Sequence, residues 1–384
     1  MPFDAFTRDI WLLCLSNAVG AFGEGLYFWV FPLYIRSLEA DYVQLGLVFS
    51  VLYGVSALAP IPGGFLADRF DRKKILLLSW TPWVFAPLIY SFAGNWVGLI
   101  PGTVFWGVSM IGLPAFMAYV VTSVVDKEKM ASVFSFVMAA YSFSYIFAPA
   151  VGAYLATFIG MRWVLRLSTT LAAVATAVFL LIHSQYPRKN EAAKQQPSSK
   201  TDEKRFWRRM LFWSGFLAAT AFFMGIARPY VPTFLSEQVR LNEFQVGLFG
   251  SINFAGITFI GIAMGRLGDR WRKSGALGMC LFLYVLSIIP LLLTSEPTLL
   301  LLTAFIYGGS SVSGSLVSSY VGTISPERKR ALWISIPQSL SLLASFAAPF
   351  LGGYLYTRSP QLALMVSVAG APFLAFFALT RLRE

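Results

Sequence analysis

The chain is poor in the residues on which disulfides, metal sites and hydrolytic centres depend. Its 384 residues include two cysteines and one histidine. Cys14 and Cys280 both fall inside apolar runs, which argues against a disulfide or a metal site. His183 stands alone at the end of another apolar run, where the solvated end of a helix accounts for it better than a proton relay does. We therefore expect no metal site.

Sequence motifs of ATP-driven pumps and membrane enzymes are missing as well. The chain has no phosphate-binding GxxxxGK[ST] loop and no HExxH pair. It also has no cluster of histidines or cysteines and no nucleophile paired with a candidate base. These absences disfavour nucleotide-driven pumping and enzyme chemistry, so we expect neither a catalytic residue nor a cofactor.

Charged residues are scarce too, at 12% of the chain, against 57% that are hydrophobic. A chain of this length and composition is too apolar to fold as a soluble domain. About 20 apolar residues are needed to cross the roughly 30 Å hydrocarbon core of a bilayer. The sequence therefore predicts an all-α membrane protein with twelve transmembrane helices. The twelve apolar runs begin near residues 10, 43, 73, 96, 130, 163, 208, 244, 274, 298, 331 and 361.

The basic residues are unevenly distributed along the chain. The net charge is +12, and most of the 30 lysines and arginines fall at the two ends and in alternate loops, near residues 70, 127, 195, 271 and 328. Because cytoplasmic loops carry an excess of Lys and Arg, we predict a multi-pass protein of the plasma membrane with both termini in the cytoplasm. Basic loops of this kind indicate contact with anionic membrane lipids, and no nucleic-acid partner is expected.

Two segments of the chain occur twice, at an interval of about 200 residues. The sequence APAVGAYL at Ala148–Leu155 returns as APFLGGYL at Ala348–Leu355. The sequence GFLADR at Gly64–Arg69 returns as GRLGDR at Gly265–Arg270. A repeat of this size in an apolar chain indicates two similar membrane bundles. Secondary transporters use paired bundles to build a central site with alternating access.

A polar stretch divides the twelve predicted helices into two sets of six. From Pro187 to Lys204 the chain is rich in Lys, Gln, Ser and Glu and has no apolar periodicity, which is typical of a flexible linker. We place the bounds of this linker at residues 186–207. We therefore expect two pseudo-symmetric six-helix bundles, at residues 1–185 and 208–384, joined by a cytoplasmic linker.

The loop between the second and third predicted helices carries a known signature. Gly64–Lys74 has the sequence GFLADRFDRKK, which resembles the GxLaDrxGrkxxl motif of the major facilitator superfamily, and its first glycine suits close helix contact. The resemblance covers the whole chain and implies a secondary transporter whose two bundles rock around a midplane site. It also implies that Asp68 and Asp269 hold the bundles closed on the cytoplasmic side, with a role in topology alone as the alternative. The candidate gate residues are Gly64, Asp68, Arg69, Arg72, Gly265, Asp269 and Arg270.

The repeated Ala-Pro-x-x-Gly element falls in the fifth and eleventh predicted helices. It resembles the GPxxGG element that antiporters of this family carry in helix 5. A proline inside a membrane helix bends it and frees a backbone carbonyl, while small residues let helices approach closely. The resemblance implies antiport, and generic helix packing is an equal alternative. The residues concerned are Pro149, Gly152, Pro349, Gly352 and Gly353.

Once helix ends and loops are set aside, one acid and one base remain at depth in the predicted helices, Glu24 in the first and Arg228 in the seventh. An ionisable group in hydrocarbon costs about 2.5 kcal/mol or more to insert, so each is a candidate functional residue. The repeat places Arg228 about one helical turn from the level of Glu24. An ion pair between the bundles is therefore feasible, with a static structural pair as the alternative. Further candidates for the proton-coupling site and substrate cavity are Asn17, Tyr27, Tyr141, Tyr145 and Asn253.

These features favour a secondary active transporter that exports a hydrophobic or amphipathic compound in exchange for protons carried by Glu24. Aromatic rings beside a carboxylate suit a lipophilic cation. Arg228 instead favours proton-linked uptake or facilitated transport of an organic anion. A non-transporting membrane receptor is the alternative from another class. The expected partners are a small solute and protons, the expected energy source is the proton gradient, and the expected assembly is a monomer.

Overall fold

The computed structural model describes residues 7–124, 130–186, 200–270, 272–324 and 330–382. Within these ranges, 12 helices are long and apolar enough to cross a membrane. The predicted all-α fold with twelve transmembrane helices is confirmed, and the chain is a multi-pass membrane protein.

Six membrane-spanning helices precede the segment predicted as a linker. A short helix, Phe31–Ser37, follows the first of them and leads to the loop before the second. The bounds of the six are Arg8–Phe28 for α1, Tyr42–Ala67 for α2, Arg72–Phe92 for α3, Trp96–Ser123 for α4, Met130–Ile159 for α5 and Met161–Leu181 for α6.

The other six helices follow in the same order. The first of them is already helical from Lys200, inside the segment predicted as a linker, whose residues 187–199 lie outside the described part of the chain. The bounds of the six are Phe206–Glu237 for α7, Glu243–Arg270 for α8, Lys273–Leu293 for α9, Pro297–Val321 for α10, Arg330–Arg358 for α11 and Pro360–Arg381 for α12.

Matching capping boxes begin α2 and α8. Gln44 N donates a hydrogen bond to Asp41 Oδ1 at 2.7 Å, and Asp41 N donates one to Gln44 Oε1 at 2.9 Å. Asn242 and Gln245 form the same reciprocal pair before α8, at 2.9 and 3.0 Å. Such a box satisfies two of the backbone N–H groups that the first turn of a helix leaves unpaired. The internal repeat therefore includes helix starts as well as apolar segments.

Two pairs of helices are interrupted at corresponding positions. The helical path of α1 breaks after Phe28 and resumes in the short helix at Phe31. The helix α7 is interrupted at the corresponding place, Arg228–Tyr230. The helix α4 is interrupted at Met110–Gly112, and α10 after Ser310. An interruption leaves backbone groups without helical partners. In membrane folds built from repeats, matching interruptions point to the binding site.

Packing divides the chain into two compact units. The first unit is Met1–Pro187 with Val231–Phe254, and the second is Arg188–Tyr230 with Ala255–Glu384. These units differ from the predicted bundles in one segment, because Val231–Phe254 groups with the first six helices. That segment contains the end of α7, the start of α8 and the loop between them. The boundary in α7 coincides with its interruption.

The ends of the helices define two faces of the first unit. At one face, which we call the linker face, Arg72 N donates a hydrogen bond to the carbonyl oxygen of Gln185 at 3.0 Å. At the opposite face, which we call the far face, the guanidinium of Arg162 donates to the carbonyl oxygen of Ala93 at 3.2 Å. Under the predicted topology, the linker face is cytoplasmic.

The repeated Ala-Pro-x-x-Gly element makes a close helix contact in each unit. A Cβ atom on Gly25 of α1 would lie 2.6 Å from the Cβ of Ala148 on α5, and one on Gly152 would overlap the carbonyl oxygen of Leu26. Neither position has room for a side chain, so the glycines set the distance between the two helices. The second unit has both contacts at the corresponding positions of α7 and α11, between Gly225 and Ala348 and between Gly352 and Ile226.

Candidate functional site

Glu24 is the buried acid of α1, with 7% of its surface exposed. Its Oε1 accepts a hydrogen bond from the indole N–H of Trp106 on α4, at 3.0 Å. Trp83 on α3 and Tyr145 on α5 also lie within reach of the carboxylate. Polar donors from three helices therefore converge on one acid within the first unit, as a buried charge requires.

Aromatic side chains surround this carboxylate. Tyr27, Tyr90 and Tyr141 lie close enough to Glu24 to interact with its charge. The ring centroids of Tyr27 and Tyr90 are 6.1 Å apart, and those of Tyr141 and Tyr145 are 5.1 Å apart. An organic cation is attracted both by a carboxylate and by ring faces, so the arrangement suits such a ligand. We call the six residues the aromatic cage: Tyr27, Trp83, Tyr90, Trp106, Tyr141 and Tyr145.

Glycines of α1 let the neighbouring helices approach closely enough to form the aromatic cage. A Cβ atom on Gly20 would lie 2.7 Å from the ring of Trp83, and one on Gly25 would lie 3.3 Å from the ring of Tyr145. A larger side chain at Gly20 would push α3 away from Glu24. The glycine-rich sequence of α1 thus positions the groups around its own acid.

Most residues predicted for the cavity lie in the same unit as Glu24. Asn17 and Tyr27 share the face of α1 that carries Glu24, because seven and three residues are spacings of one helix face. Asn17 and Asn253 are both buried. Asn253 on α8 precedes Phe254, whose ring centroid is 4.6 Å from that of Tyr145 in the aromatic cage. The structure thus brings predicted residues of α1, α5 and α8 to one region.

Arg228 lies at the interruption of α7, in the second unit. Its side chain is exposed, and Tyr284 on α9 is close enough to interact with its charge. Tyr284 in turn donates a hydrogen bond to Ser367 Oγ on α12 at 2.8 Å. Because Glu24 and Arg228 belong to different units, the ion pair suggested by the sequence stays a prediction.

Sequence reasoning did not identify Trp83, Tyr90 and Trp106 as site residues. An indole N–H inside a membrane helix must find an acceptor, because hydrocarbon offers none. A carboxylate buried in a neighbouring helix is such an acceptor. Searching for tryptophans at the depth of Glu24 would therefore have identified Trp83 and Trp106 as donors.

In the signature loop, the buried acid is Asp71 and not Asp68. Asp71 is 3% exposed, and its Oδ1 accepts hydrogen bonds from Lys73 N at 3.1 Å and from Gln185 N at 3.0 Å. Asp68 is exposed and interacts electrostatically with Arg72. Asp71 therefore fastens the start of α3 to the chain that follows α6, while the carboxylate of Asp68 faces solvent.

The two arginines of the signature loop have different surroundings. Arg72 Nη1 donates hydrogen bonds to Thr122 Oγ1 at 2.6 Å and to Gln185 Oε1 at 2.8 Å. Arg69 is exposed, with its guanidinium carbon 3.9 Å from the ring centroid of Phe65. Arg72 thus joins three segments at the linker face, whereas Arg69 contacts the end of the helix that it follows, α2.

The close helix contact expected of Gly64 is made by the preceding residue. A Cβ atom on Gly64 would meet no atom within 4 Å, whereas one on Gly63 would overlap the carbonyl oxygen of Ile111 in the interruption of α4. In the second copy, a Cβ atom on Gly265 would also meet nothing within 4 Å, and Arg270 is exposed. The side chain of Asp269 lies outside the described residues. The gate role of both copies stays a prediction.

The prolines of the repeated element contact neighbouring helices through their carbonyl oxygens. A Cβ atom on Gly247 of α8 would lie 2.6 Å from Pro149 O, within the first unit. In the second unit, Tyr230 OH donates a hydrogen bond to Pro349 O at 2.7 Å. Gly353 is buried as well. The geometry of both copies is that of helix packing.

The segment that joins α7 and α8 packs on the first repeat at the far face. Glu237 forms an ion pair with Arg36, with an N–O distance of 3.2 Å, and accepts a hydrogen bond from Tyr42 OH at 2.7 Å. Trp29 stacks on Phe249 with ring centroids 5.9 Å apart. These contacts join residues of the two sequence repeats within the first unit. We call Arg36, Tyr42 and Glu237 the far-face cluster.

Known proteins similar to this chain are membrane transporters. The model of the Major Facilitator Superfamily matches residues 13–234 and 220–384. Multidrug resistance protein 2 of Bacillus subtilis is 23% identical over 363 residues, covering 91% of this chain and 89% of that protein. Multidrug resistance protein MdtG of Proteus mirabilis is 25% identical over 297 residues, covering 75% and 73%. Among solved structures, the nucleoside transporter NupG has a TM-score of 0.80 at 15% identity, covering 98% of this chain and 100% of that one.

Proposed function

Because the chain belongs to the major facilitator superfamily and is a transporter, we propose that it exports a hydrophobic or amphipathic compound in exchange for protons. The observation that carries the proposal is the position of Glu24, a buried acid within the aromatic cage. Rings provide the apolar surface that such a solute needs, and the carboxylate provides a site for a proton or for the positive group of a solute.

Two ligands compete for the Glu24 carboxylate. A proton neutralises it directly, and a cationic group held against the rings of Trp106 and Tyr145 neutralises it by charge pairing. One carboxylate does not hold both at once, so each ligand lowers the affinity for the other. In an alternating-access cycle, competition at one acid couples the exit of solute to the entry of protons.

The relatives support this substrate class through their names alone. Two of them are named multidrug resistance proteins. The NupG structure belongs to a nucleoside transporter and, at 15% identity, supports the fold only. Glu24 and the aromatic cage therefore remain the main support for an amphipathic solute.

Arg228 favours a second candidate, the proton-linked uptake or facilitated transport of an organic anion. It is exposed at the interruption of α7, with Tyr284 beside it. A guanidinium at such a position suits the carboxylate or phosphate group of a solute. The two candidates differ in the sign of the solute charge and in the residue on which transport depends.

Transport by purified protein in proteoliposomes tests the proposal. We would measure uptake of labelled tetraphenylphosphonium into vesicles that are acidic inside, with the membrane potential clamped, and counterflow against unlabelled compound. We expect gradient-driven uptake by the wild type and by Arg228→Gln, and none by Glu24→Gln. Gradient-driven uptake of an aromatic carboxylate, lost in Arg228→Gln, would favour the second candidate. If neither the cation nor the carboxylate shows counterflow, the result would favour a receptor.

A further inference from the structure

A groove on α6 bears an arginine that the proposed transport site does not use. The groove has a volume of about 530 Å³ and lies at the far-face half of the helix. Trp163 is 57% exposed and Leu167 is 38% exposed, so this side of α6 faces the bilayer. The groove is lined by Ile159, Trp163, Arg166, Leu167 and Thr170.

Arg166 does not belong to the packed side of α6. The helix contacts its neighbours through the buried residues Val164, Leu165, Ser168, Ala172 and Ala175. Arg166 lies two residues from both Val164 and Ser168, a rotation of about 200° away from each of these buried positions. Arg166 lies five residues after the start of α6, about 8 Å along the helix axis. At that depth a guanidinium is close to the boundary between headgroups and hydrocarbon.

The guanidinium of Arg166 has aromatic neighbours, and none of the other four groove residues is acidic. Its Cζ lies 4.4 Å from the ring centroid of Trp163 and 5.3 Å from that of Phe92. Its Nε is buried and makes no hydrogen bond. Partial burial of a charged group without an acceptor costs free energy, and an anion in the groove would offset that cost by pairing with the charge of the guanidinium.

The second sequence repeat has no arginine at the equivalent position. At an interval of 200 residues, Arg166 corresponds to Val366 and Trp163 to Ala363. A six-helix half therefore does not need this charge in order to fold. The positive-inside rule does not require it either, because that rule concentrates basic residues at the linker face. A bound anion explains the arginine better than the architecture does.

We propose that the groove binds an anionic phospholipid, with its phosphate on Arg166 and one acyl chain along Ile159 and Leu167. A guanidinium binds phosphate through two parallel hydrogen bonds, and an exposed tryptophan such as Trp163 favours the headgroup region. The apolar walls fit an acyl chain, which a free inorganic ion lacks. Under the predicted topology this lipid belongs to the outer leaflet, and it is distinct from the lipids expected at the basic loops.

Lipid titration of the delipidated full-length protein tests this site. Phosphatidylglycerol or phosphatidylethanolamine would be added, and bound lipid counted by native mass spectrometry. We expect Arg166→Met to weaken the tightest phosphatidylglycerol binding about tenfold, the loss typical of one charge-assisted hydrogen-bonded pair. Thr170→Phe fills the groove and keeps the charge, so it should weaken the binding of both lipids.

The control is Arg358→Met, which removes an exposed arginine that also lies next to an aromatic ring, that of Tyr354 at 5.1 Å. It should leave phosphatidylglycerol binding unchanged. The proposal is overturned if Arg166→Met binds phosphatidylglycerol as the wild type does, or if Arg358→Met loses as much affinity. Where Arg166→Met does not give a monodisperse protein, Thr170→Phe decides, and wild-type binding by that variant also overturns the proposal.

Discussion

At the scale of single residues, the proposed chemistry depends on an acid whose neighbours hold it by hydrogen bonds. The indole N–H of Trp106 donates to Glu24 at 3.0 Å, and both groups lie inside the membrane-spanning part of the chain. In such surroundings an unpaired polar group is costly, so a change to either partner also affects the other. The proposed binding group is for this reason also part of the local structure.

The first prediction concerns the replacement of Glu24 by glutamine. Glu24→Gln keeps the shape of the side chain and removes its ability to exchange a proton. We expect the variant to bind and exchange an uncharged amphipathic solute while losing any acceleration by a proton gradient, measured in proteoliposomes. The matched control is Glu39→Gln, which alters an exposed acid. Full gradient-driven accumulation by Glu24→Gln would mean that Glu24 is not the coupling residue.

A second prediction separates the two acids of the signature loop. Asp71→Ala removes an acceptor for two backbone N–H groups and should lower the free energy of unfolding by about 1–3 kcal/mol. Asp68→Asn alters an exposed side chain and should leave stability unchanged while lowering transport, if Asp68 helps to close the cytoplasmic side. Thermal unfolding in detergent and solute exchange would be measured for both. Normal transport by Asp68→Asn would reduce that residue to a determinant of topology.

At the scale of helices, the two sequence repeats make the same contacts between helices. The pair α1 and α5 approaches through Gly25 and Gly152, and the pair α7 and α11 through Gly225 and Gly352. Each contact lies near an interruption, after Phe28 in α1 and at the corresponding point in α7. Close packing next to an interruption keeps the helix fragments in place while freeing backbone groups there.

The third prediction tests these glycine contacts. Gly152→Ala would place a methyl group on the carbonyl oxygen of Leu26 and should destabilise the protein by about 1–3 kcal/mol, because tightly packed helices do not yield easily. Gly64→Ala is the matched control, since its added methyl group would meet no atom within 4 Å. That control should be neutral or slightly stabilising, because alanine favours helix more than glycine does. Equal melting temperatures for the two variants would contradict the packing argument.

At the scale of the whole molecule, the chain joins its two repeats by more than a linker. The segment Val231–Phe254 comes from the second repeat and packs with the first. Its contacts include the far-face cluster, in which the side chains of Arg36 and Glu237 are 29% and 28% exposed. Partly exposed ion pairs are weak, so this contact holds the segment on the first repeat only loosely.

The fourth prediction follows from that weakness. Glu237→Gln removes the charge of the ion pair with Arg36 and keeps an acceptor for Tyr42. The loss of about 0.2–1 kcal/mol should loosen the packing of the segment 231–254 on the first repeat and favour its local opening. Hydrogen exchange in peptides from 231–254 should become faster, and Glu39→Gln should leave it unchanged. Wild-type exchange rates in Glu237→Gln would show that the ion pair does not contribute to the packing of this segment.

The fifth prediction concerns orientation in the membrane. Because basic residues cluster at the termini and the linker, a cysteine introduced at Ser198 should react with an impermeant thiol reagent only after the cells are permeabilised. Labelling of intact cells at this position would reverse the proposed topology. A cysteine at Glu39, in the loop between α1 and α2, serves as the control and should react in intact cells.

The sequence by itself determined the class of fold and the candidate acid. The length of an apolar run and the recurrence of a motif are properties of the chain in one dimension, so the twelve helices and the repeat were predictable. Glu24 was identified for the same reason, because a lone acid in an apolar run is visible without coordinates. The capping boxes at Asp41 and Asn242 are also local, and their spacing alone would have revealed them.

Only the tertiary structure decided what surrounds that acid. Trp83 and Trp106 are far from Glu24 along the chain, and they reach it because glycines of α1 allow neighbouring helices to approach. Likewise, only packing distinguishes buried Asp71 from exposed Asp68, since both lie in the same charged loop. Burial and hydrogen bonding depend on which helices meet, and contacts between residues distant in the chain are not encoded in the local pattern of either segment.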